Sequence, residues 1–187
     1  MGPQRFCRAD EWPAIAERLK QTSCPHCKAV GTLIRHGYLL GFDETSRLRT
    51  RHARRIFCSN RNARPGCGRT FSVWLADKVR RLSLTAGALW RFLQLAVAGS
   101  VLAAGHAVDG RLSDRTWQRI WERFNQAQCH IRTALHGRCP PPDTPPQPTG
   151  NPKRQSAAQV LAHLQAAFPD APCHITEFQR TTQTFFV

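Results

Sequence analysis

Two short stretches decide the fold of this chain, "CPHC" at residues 24–27 and "CSNRNARPGCGRTF" at residues 58–71. They contain two cysteine pairs, Cys24 with Cys27 and Cys58 with Cys67. Four thiolates are the ligand set of a structural, tetrahedral zinc site, and a two-residue spacing lets one turn present both sulfurs of the first pair. The second pair has a longer spacer, but glycines flank Cys67 and permit a tight turn. The pattern therefore predicts a four-cysteine zinc ribbon, with a hairpin in the 30 residues between the pairs.

Two other interpretations of these cysteines stay open at the level of sequence. A nearby histidine (His26, His36 or His52) could replace one thiolate in a mixed site, or the four thiols could be buried without a metal. A catalytic zinc keeps an open coordination position, whereas four thiolates fill the coordination shell. We therefore expect a structural ion, which in so small a domain would supply much of the folding energy.

The charge of the chain points to a polyanionic partner. Its 27 Lys+Arg against 12 Asp+Glu give a net charge of +15. Residues 1–81 hold 17 of the basic and 6 of the acidic residues, whereas residues 140–187 hold three of each. A balance of this kind favours nucleic acid, or less often an anionic membrane surface. No apolar run is long enough to span a membrane and no signal peptide is recognisable, so we expect a cytoplasmic, nucleoid-associated protein without a membrane partner.

Arginines are dense between and after the cysteine pairs, and Asp77 is the only acid in residues 47–81. Three of the arginines alternate along a predicted strand and would share one face of it. The alternative is that these arginines are simply a solvated run of charge on the surface. We expect phosphate contacts from Arg47, Arg49, Arg51, Arg54, Arg55, Arg69, Lys78, Arg80 and Arg81.

The periodicity predicts an α+β chain. A short helix over 10–20, capped by Asp10, precedes strands at 32–40, 47–57 and 69–75. From Leu82 the period becomes helical. The segments we expect are an N-terminal helix (1–21), the zinc ribbon (22–81), a helix-turn-helix-like helical domain (82–138), a proline-rich linker (139–153) and a C-terminal helix with a tail (154–187).

One helical stretch, "GRLSDRTWQRIWERF" at residues 110–124, has the two faces that a DNA-reading helix needs. Its tryptophans and other large apolar residues fall on one side, and arginines recur every four residues on the other. The alternative is an amphipathic bundle helix with a solvated basic face. On the DNA-reading interpretation the contacting residues are Arg111, Arg115, Thr116, Gln118, Arg119 and Arg123.

The tail after the linker carries an apolar helix face that includes Val160 and Leu164, and it ends in "TFFV". Because this segment has no net charge, the electrostatic argument for a polyanionic partner does not apply to it. We expect it to dock a partner enzyme or a second copy of the chain. The alternative is that it folds back on its own helical domain.

The stretch "CPHC…GTLIRHG…RRIFCSN…CGRTFSVWL" resembles the zinc ribbon of insertion-sequence transposases and of their small InsA-type DNA-binding partners. The stretch at 110–124 is similar to the recognition helix of a transposase-type helix-turn-helix. The resemblance implies a protein of transposition or DNA recombination that binds double-stranded DNA and Zn²⁺, with Cys24, Cys27, Cys58 and Cys67 as the metal ligands.

We do not expect catalysis. A transposase with three catalytic carboxylates needs a sheet to carry them, and the acids after the ribbon are few; Tyr38, the only tyrosine, lies inside the ribbon. The chain would then be an accessory or regulatory protein that works beside a separately encoded recombinase or transposase, with self-association left open. The alternatives are a zinc-ribbon transcription regulator and an RNA- or ribosome-binding zinc-ribbon protein.

Overall fold

The computed structural model describes residues 4–143 and 151–187. The chain divides into two units, Met1–Lys78 and Val79–Val187. A four-stranded sheet with one α-helix forms the described part of the first unit, and five helices form that of the second. The predicted α+β class is therefore confirmed. The linker predicted at 139–153 falls partly on residues 144–150, which lie outside the described residues.

The sheet of the first unit consists of β1 (Phe6–Cys7), β2 (Leu33–Asp43), β3 (Ser46–Cys58) and β4 (Thr70–Leu75). Its strand order is β1-β4-β3-β2. Strands β2 and β3 form an antiparallel hairpin, and β4 runs antiparallel to β3. The three longer strands agree with the prediction to within a few residues, whereas β1, which pairs in parallel with β4, was not predicted.

The N-terminal helix is shorter than the sequence predicted. Helix α1 spans Trp12–Glu17 and continues as a 3₁₀ turn over Arg18–Gln21. Asp10 is not its cap, because the helix begins beyond it. Pro13 is tolerated in the first turn, because backbone N–H groups there have no partner within the helix and the N–H that proline lacks is not needed. The buried side chains of Trp12 and Leu19 place this segment in the same small core as β2, β3 and β4.

The second unit begins with three helices, α2 (Ala86–Ala98), α3 (Val101–Val108) and α4 (Asp114–His136). Thr85 caps α2 by accepting a hydrogen bond from the Ala88 N–H at 3.1 Å, and Ser113 caps α4 in the same way. Helix α3 contacts α4 closely at Gly105, where a Cβ would lie 2.3 Å from the Trp117 ring. The apolar side of α4 is buried as predicted, with Trp117, Ile120, Trp121, Phe124, Ile131 and Leu135 all in the core.

The tail is part of the second unit, so the prediction that it docks a separate partner is wrong. Helix α5 (Pro152–Ala167) buries Val160 and Leu164, and helix α6 (His174–Thr182), which the sequence did not predict, buries Phe178. The Phe186 ring is fully buried and lies 5.9 Å from that of Phe124 on α4. The apolar groups of the tail are thus covered by the helical domain itself, which was the alternative.

Candidate metal centre and basic surfaces

The four cysteines singled out by their spacing lie together. Their sulfurs are all within 4.8 Å of one another. The Cys24 and Cys67 sulfurs are 3.8 Å apart, and those of Cys27 and Cys58 are 3.7 Å apart. A tetrahedral site with zinc–sulfur bonds of about 2.3 Å has sulfur–sulfur edges of about 3.8 Å. The cluster could therefore hold a metal ion, and its dimensions are compatible with zinc.

The first pair of ligands is presented by one turn. The Lys28 N–H donates to the Cys24 carbonyl at 3.0 Å, and the His26 N–H points at the Cys24 sulfur from 3.4 Å. Lys28 has a left-handed backbone with φ of 64°, which lets the chain reverse immediately after Cys27. The turn is tied back to the preceding 3₁₀ segment, because the Gly31 N–H donates to the Lys20 carbonyl at 3.0 Å.

The second pair tolerates its long spacer because the chain loops out and returns to its starting point. Asn60 through Pro65 are exposed, while a Cβ on Gly66 would come within 2.1 Å of the Ser59 carbonyl oxygen. The two backbone segments at the base of the loop thus approach so closely at Gly66 that only glycine fits there. The Gly68 N–H then donates to the Cys58 carbonyl at 2.9 Å. The Cys58 and Cys67 sulfurs therefore lie within 4.8 Å of each other despite the long spacer.

Polar neighbours favour the ionised form of Cys58. Burial raises the pKa of its thiol, but hydrogen bonds from the Thr32 hydroxyl and the Cys67 N–H outweigh this effect and lower the pKa to about 7. The thiolate is the form that binds a metal. The three nearby histidines lie against other groups: His26 against the Phe71 ring, His36 against the Phe57 ring, and His52 beside Asp43. The metal cluster found among the described residues consists of cysteines alone.

The arginines predicted to contact phosphate in the ribbon differ in their exposure. Arg49, Arg51 and Arg69 are exposed, Arg55 is half-buried, and the side chain of Arg47 lies outside the described set. Arg54 is half-buried, with its guanidinium 4.6 Å from the Trp12 ring centroid. The strand therefore offers at least two outward-facing guanidinium groups, at positions 49 and 51.

Lys78, which we expected to contact phosphate, has a structural partner instead. Its ammonium donates at 2.7 Å to the buried carboxylate of Asp43, and this carboxylate also accepts from the hydroxyls of Thr45 and Thr50. Burial opposes ionisation of Asp43, but these hydrogen bonds outweigh it and hold the pKa of this carboxyl well below its usual range. No local pattern indicated this pair, because 35 residues separate its members. We leave Lys78 out of any nucleic-acid surface.

An open groove runs along the basic side of α4. Its volume is about 380 Å³, and its lining includes three arginines and one acid. The residues that line it are Arg81, Leu82, Thr116, Arg119, Ile120, Glu122, Arg123 and Gln126. Arg81 adopts a left-handed backbone with φ of 62°, a conformation unusual for arginine. The groove thus brings Arg81 together with Thr116, Arg119 and Arg123, which the sequence had assigned to a separate segment.

The other residues predicted around this helix are placed differently. Arg115 and Gln118 are exposed on the first turns of α4. Arg111 makes a two-pronged ion pair with Asp109, at 2.8 and 2.9 Å. Its charge is therefore largely neutralised within the turn that joins α3 to α4. Arg80 is exposed, and its guanidinium lies 4.9 Å from the Phe185 ring centroid.

Comparison with known proteins gives no relative for this chain: no protein-family model, no curated protein and no solved structure matches it. Within residues 4–143 and 151–187, every helix is too short or too polar to cross a membrane.

Proposed function

We propose that this chain is a DNA-binding protein in which a structural zinc ion, held by Cys24, Cys27, Cys58 and Cys67, supports an arginine-rich ribbon. The observation that carries the proposal is the groove on α4. Three arginines line it beside Thr116, with a single acid in the lining. Arginine pairs with phosphate through two parallel hydrogen bonds, and it is the commonest side chain to read guanine in the major groove.

The two basic surfaces would have different tasks. Arg49 and Arg51 of the ribbon would contact phosphates, which position a protein on DNA without reading its sequence. Helix α4 would act as the recognition helix of a helix-turn-helix, with α3 as its support through the close Gly105–Trp117 contact. Arg119 and Arg123 lie on the face that this arrangement would turn toward DNA.

The biological setting that we propose is a mobile genetic element. Support comes from the resemblance of the two cysteine stretches and of the 110–124 stretch to the DNA-binding parts of insertion-sequence transposases. In that setting the chain would be an accessory or regulatory protein without catalysis of its own, acting beside a separately encoded recombinase or transposase.

The first test is the salt dependence of binding by the zinc-loaded chain. Fluorescence anisotropy with a labelled duplex would follow affinity between about 50 and 200 mM salt. With roughly six to ten phosphate contacts, release of condensed counterions should weaken binding about a thousandfold or more over that range. A flat response would contradict the proposal, and tighter binding to duplex RNA than to duplex DNA would favour the RNA-binding alternative.

The second test separates base reading from phosphate contact. A preferred site would first be selected from random duplex DNA. Arg119→Ala should then reduce the ratio of affinities for preferred and scrambled sites about 5- to 150-fold, the range of one base-edge contact. Arg91→Ala, which removes an exposed charge from α2, is the matched control and should leave the ratio unchanged. Equal losses on both sites would reduce the role of α4 to phosphate contact.

A further inference from the structure

One exposed stretch of the β2–β3 hairpin carries large apolar side chains. Tyr38, Leu40 and Phe42 alternate along β2, so they share one face of the strand. Their exposed fractions are 49%, 56% and 49%. The opposite side of β2 at this level holds Gly41 and the buried Asp43, which pack on His52 and Lys78. The register pairs Tyr38 with Arg54, whose guanidinium lies 4.6 Å from the ring centroid of Trp12, a residue of the small core. The three side chains therefore lie on the same sheet face as that core, beyond the part of the face that Trp12 covers, and about half of each remains exposed.

Arginines of β3 are interleaved with these rings. Strand register places Arg51 opposite Leu40, and the Arg51 guanidinium carbon lies 3.8 Å from the Tyr38 ring centroid. The Arg49 guanidinium carbon lies 5.6 Å from the Phe42 ring centroid. Half of each aromatic residue nevertheless remains exposed. We call Tyr38, Leu40, Phe42, Arg49 and Arg51 the outer hairpin face.

This combination selects one class of ligand. Flat π-surfaces beside positive charge complement a molecule that has flat aromatic groups on an anionic backbone. Single-stranded nucleic acid has both features, whereas a duplex hides its base faces within the stack. A protein segment would need apolar and acidic groups in alternation to match the same face. We propose that the outer hairpin face binds unpaired nucleotides, with bases stacked on Tyr38 and Phe42 and phosphates near Arg49 and Arg51.

The hairpin is held in a way that suits such a platform. At one end the Asp43 carboxylate fixes its turn to Lys78, and at the other end Cys58 belongs to the metal cluster. Rings on a rigid support lose little conformational entropy when a ligand stacks on them. The inference goes beyond the proposed function, which concerns duplex DNA, and it would add the ability to hold a melted or single-stranded segment.

The test uses the zinc-loaded full chain and a labelled oligothymidine of about 16 nucleotides, the upper range of a single-strand site. An abasic oligonucleotide of the same length has the same phosphates without the bases. The wild-type chain should bind the oligothymidine more tightly than the abasic strand. Tyr38→Leu and Phe42→Leu keep apolar bulk but remove the ring, and each should weaken oligothymidine binding about 5- to 150-fold while leaving the abasic strand unaffected. Tyr38→Phe keeps the ring and should retain binding.

A control variant elsewhere in the chain shows whether the effects are specific to the outer hairpin face. Leu95→Ala removes an exposed apolar side chain from α2 and should change nothing. Zinc content shows that each variant keeps its ribbon. Equal wild-type binding to both strands, or full binding by Phe42→Leu, would overturn the proposal. So would a wild-type dimer, seen by light scattering, that Phe42→Leu dissociates without any change in oligothymidine binding, because the face would then join two copies.

The duplex assay keeps this test separate from that of the proposed function. Duplex binding without any oligothymidine binding would remove only the inference about the outer hairpin face. Oligothymidine binding without salt-sensitive duplex binding would remove only the proposed function.

Discussion

The two units differ in what fills their interiors. Among the described residues, the core of the helical unit contains 24 buried apolar residues, and eight of these are Trp or Phe. The core of the ribbon unit contains nine, and two of these, Cys24 and Cys58, belong to the metal cluster. A small apolar core seldom stabilises a domain by itself. The ribbon therefore relies on specific polar bonds, whereas the helical unit relies on packing of apolar side chains.

Those polar bonds lie at opposite ends of the ribbon's sheet. The cysteine cluster joins the chain before β2, the end of β3 and the chain before β4. The Asp43–Lys78 ion pair joins the hairpin turn to the chain that follows β4. Burial opposes the charged form of Lys78, but the bond to Asp43 and the charge of Asp77 outweigh it and raise the pKa of Lys78. Each end of this sheet, which has only a small apolar core, is thus held by residues that are far apart in sequence.

Metal removal should give the largest effect and should divide the units. Structural zinc in small domains contributes an apparent free energy of about 10–16 kcal/mol. We expect a strong chelator, or Cys58→Ser, to unfold residues 4–78 while the helical unit stays folded. Two-dimensional NMR of the full chain would report both units at once.

The control for this experiment is Cys129→Ser, which changes an exposed cysteine outside the cluster and should not alter metal content. Loss of the helical resonances together with those of the ribbon would contradict the independence of the two units. A folded ribbon without metal would contradict the metal assignment itself.

Phe186→Ala should damage the helical unit alone. Truncation of a fully buried Phe costs about 3–5 kcal/mol, and this ring lies 5.6 Å from Phe178 and 5.9 Å from Phe124. Chemical denaturation would measure the change in unfolding free energy, with Leu95→Ala as an exposed apolar control. If unfolding is unchanged in Phe186→Ala, the tail does not belong to this core.

Asp43→Asn should destabilise the ribbon by about 3–5 kcal/mol, because it removes the buried carboxylate closest to the Lys78 ammonium and leaves only the exposed Asp77 near it. Chemical denaturation of the zinc-loaded chain would measure this loss. Asp77→Asn, which changes an exposed neighbour that also lies near Lys78, is the matched control and should cost far less. Equal losses in the two variants would mean that Asp43 is no more important to the ribbon than a surface charge.

The stability difference between the wild type and Asp43→Asn should depend on pH. Since the pKa of Asp43 is depressed in the folded chain, its stabilising effect is present above the ordinary carboxyl pKa and is lost only as pH falls through the folded value. The difference in unfolding free energy between wild type and Asp43→Asn should therefore be constant above about pH 5 and should shrink as pH falls below the ordinary carboxyl pKa of about 3.9, provided that zinc is still bound. A difference that does not change below that pKa would contradict the depressed pKa of Asp43.

Thr85→Ala should give the smallest effect, about 1 kcal/mol, by removing the side-chain cap of α2. Ser83 lies two residues before this cap and outside the helix, so Ser83→Ala is the matched control and should be close to neutral. Thermal unfolding of the helical unit would measure both variants. Equal destabilisation by the two substitutions would mean that the cap is not the cause.

Short-range features could be predicted from the sequence because their causes are local. Two-residue cysteine spacing, alternation along β2 and β3, and the apolar period of α4 each arise within a few residues of chain. The cysteine cluster was predictable for the further reason that four thiols in so few residues are typical of a metal site. Tyr38, Leu40 and Phe42 were also detectable in principle, since their alternation is visible, but nothing local shows whether an apolar strand face is covered.

Which of these faces meet another part of the chain depends on contacts that form only in the folded protein. The apolar face of α5 has the same appearance whether it binds a partner or its own domain, and the outcome depends on the shape left by α2 and α4. Lys78 looks like any other ribbon cation until Asp43 is brought to it from 35 residues away. Arg81 likewise joins Arg119 and Arg123 only through folding. Burial and pairing depend on contacts between distant segments, and a sequence pattern records only the tendency of each segment to make them.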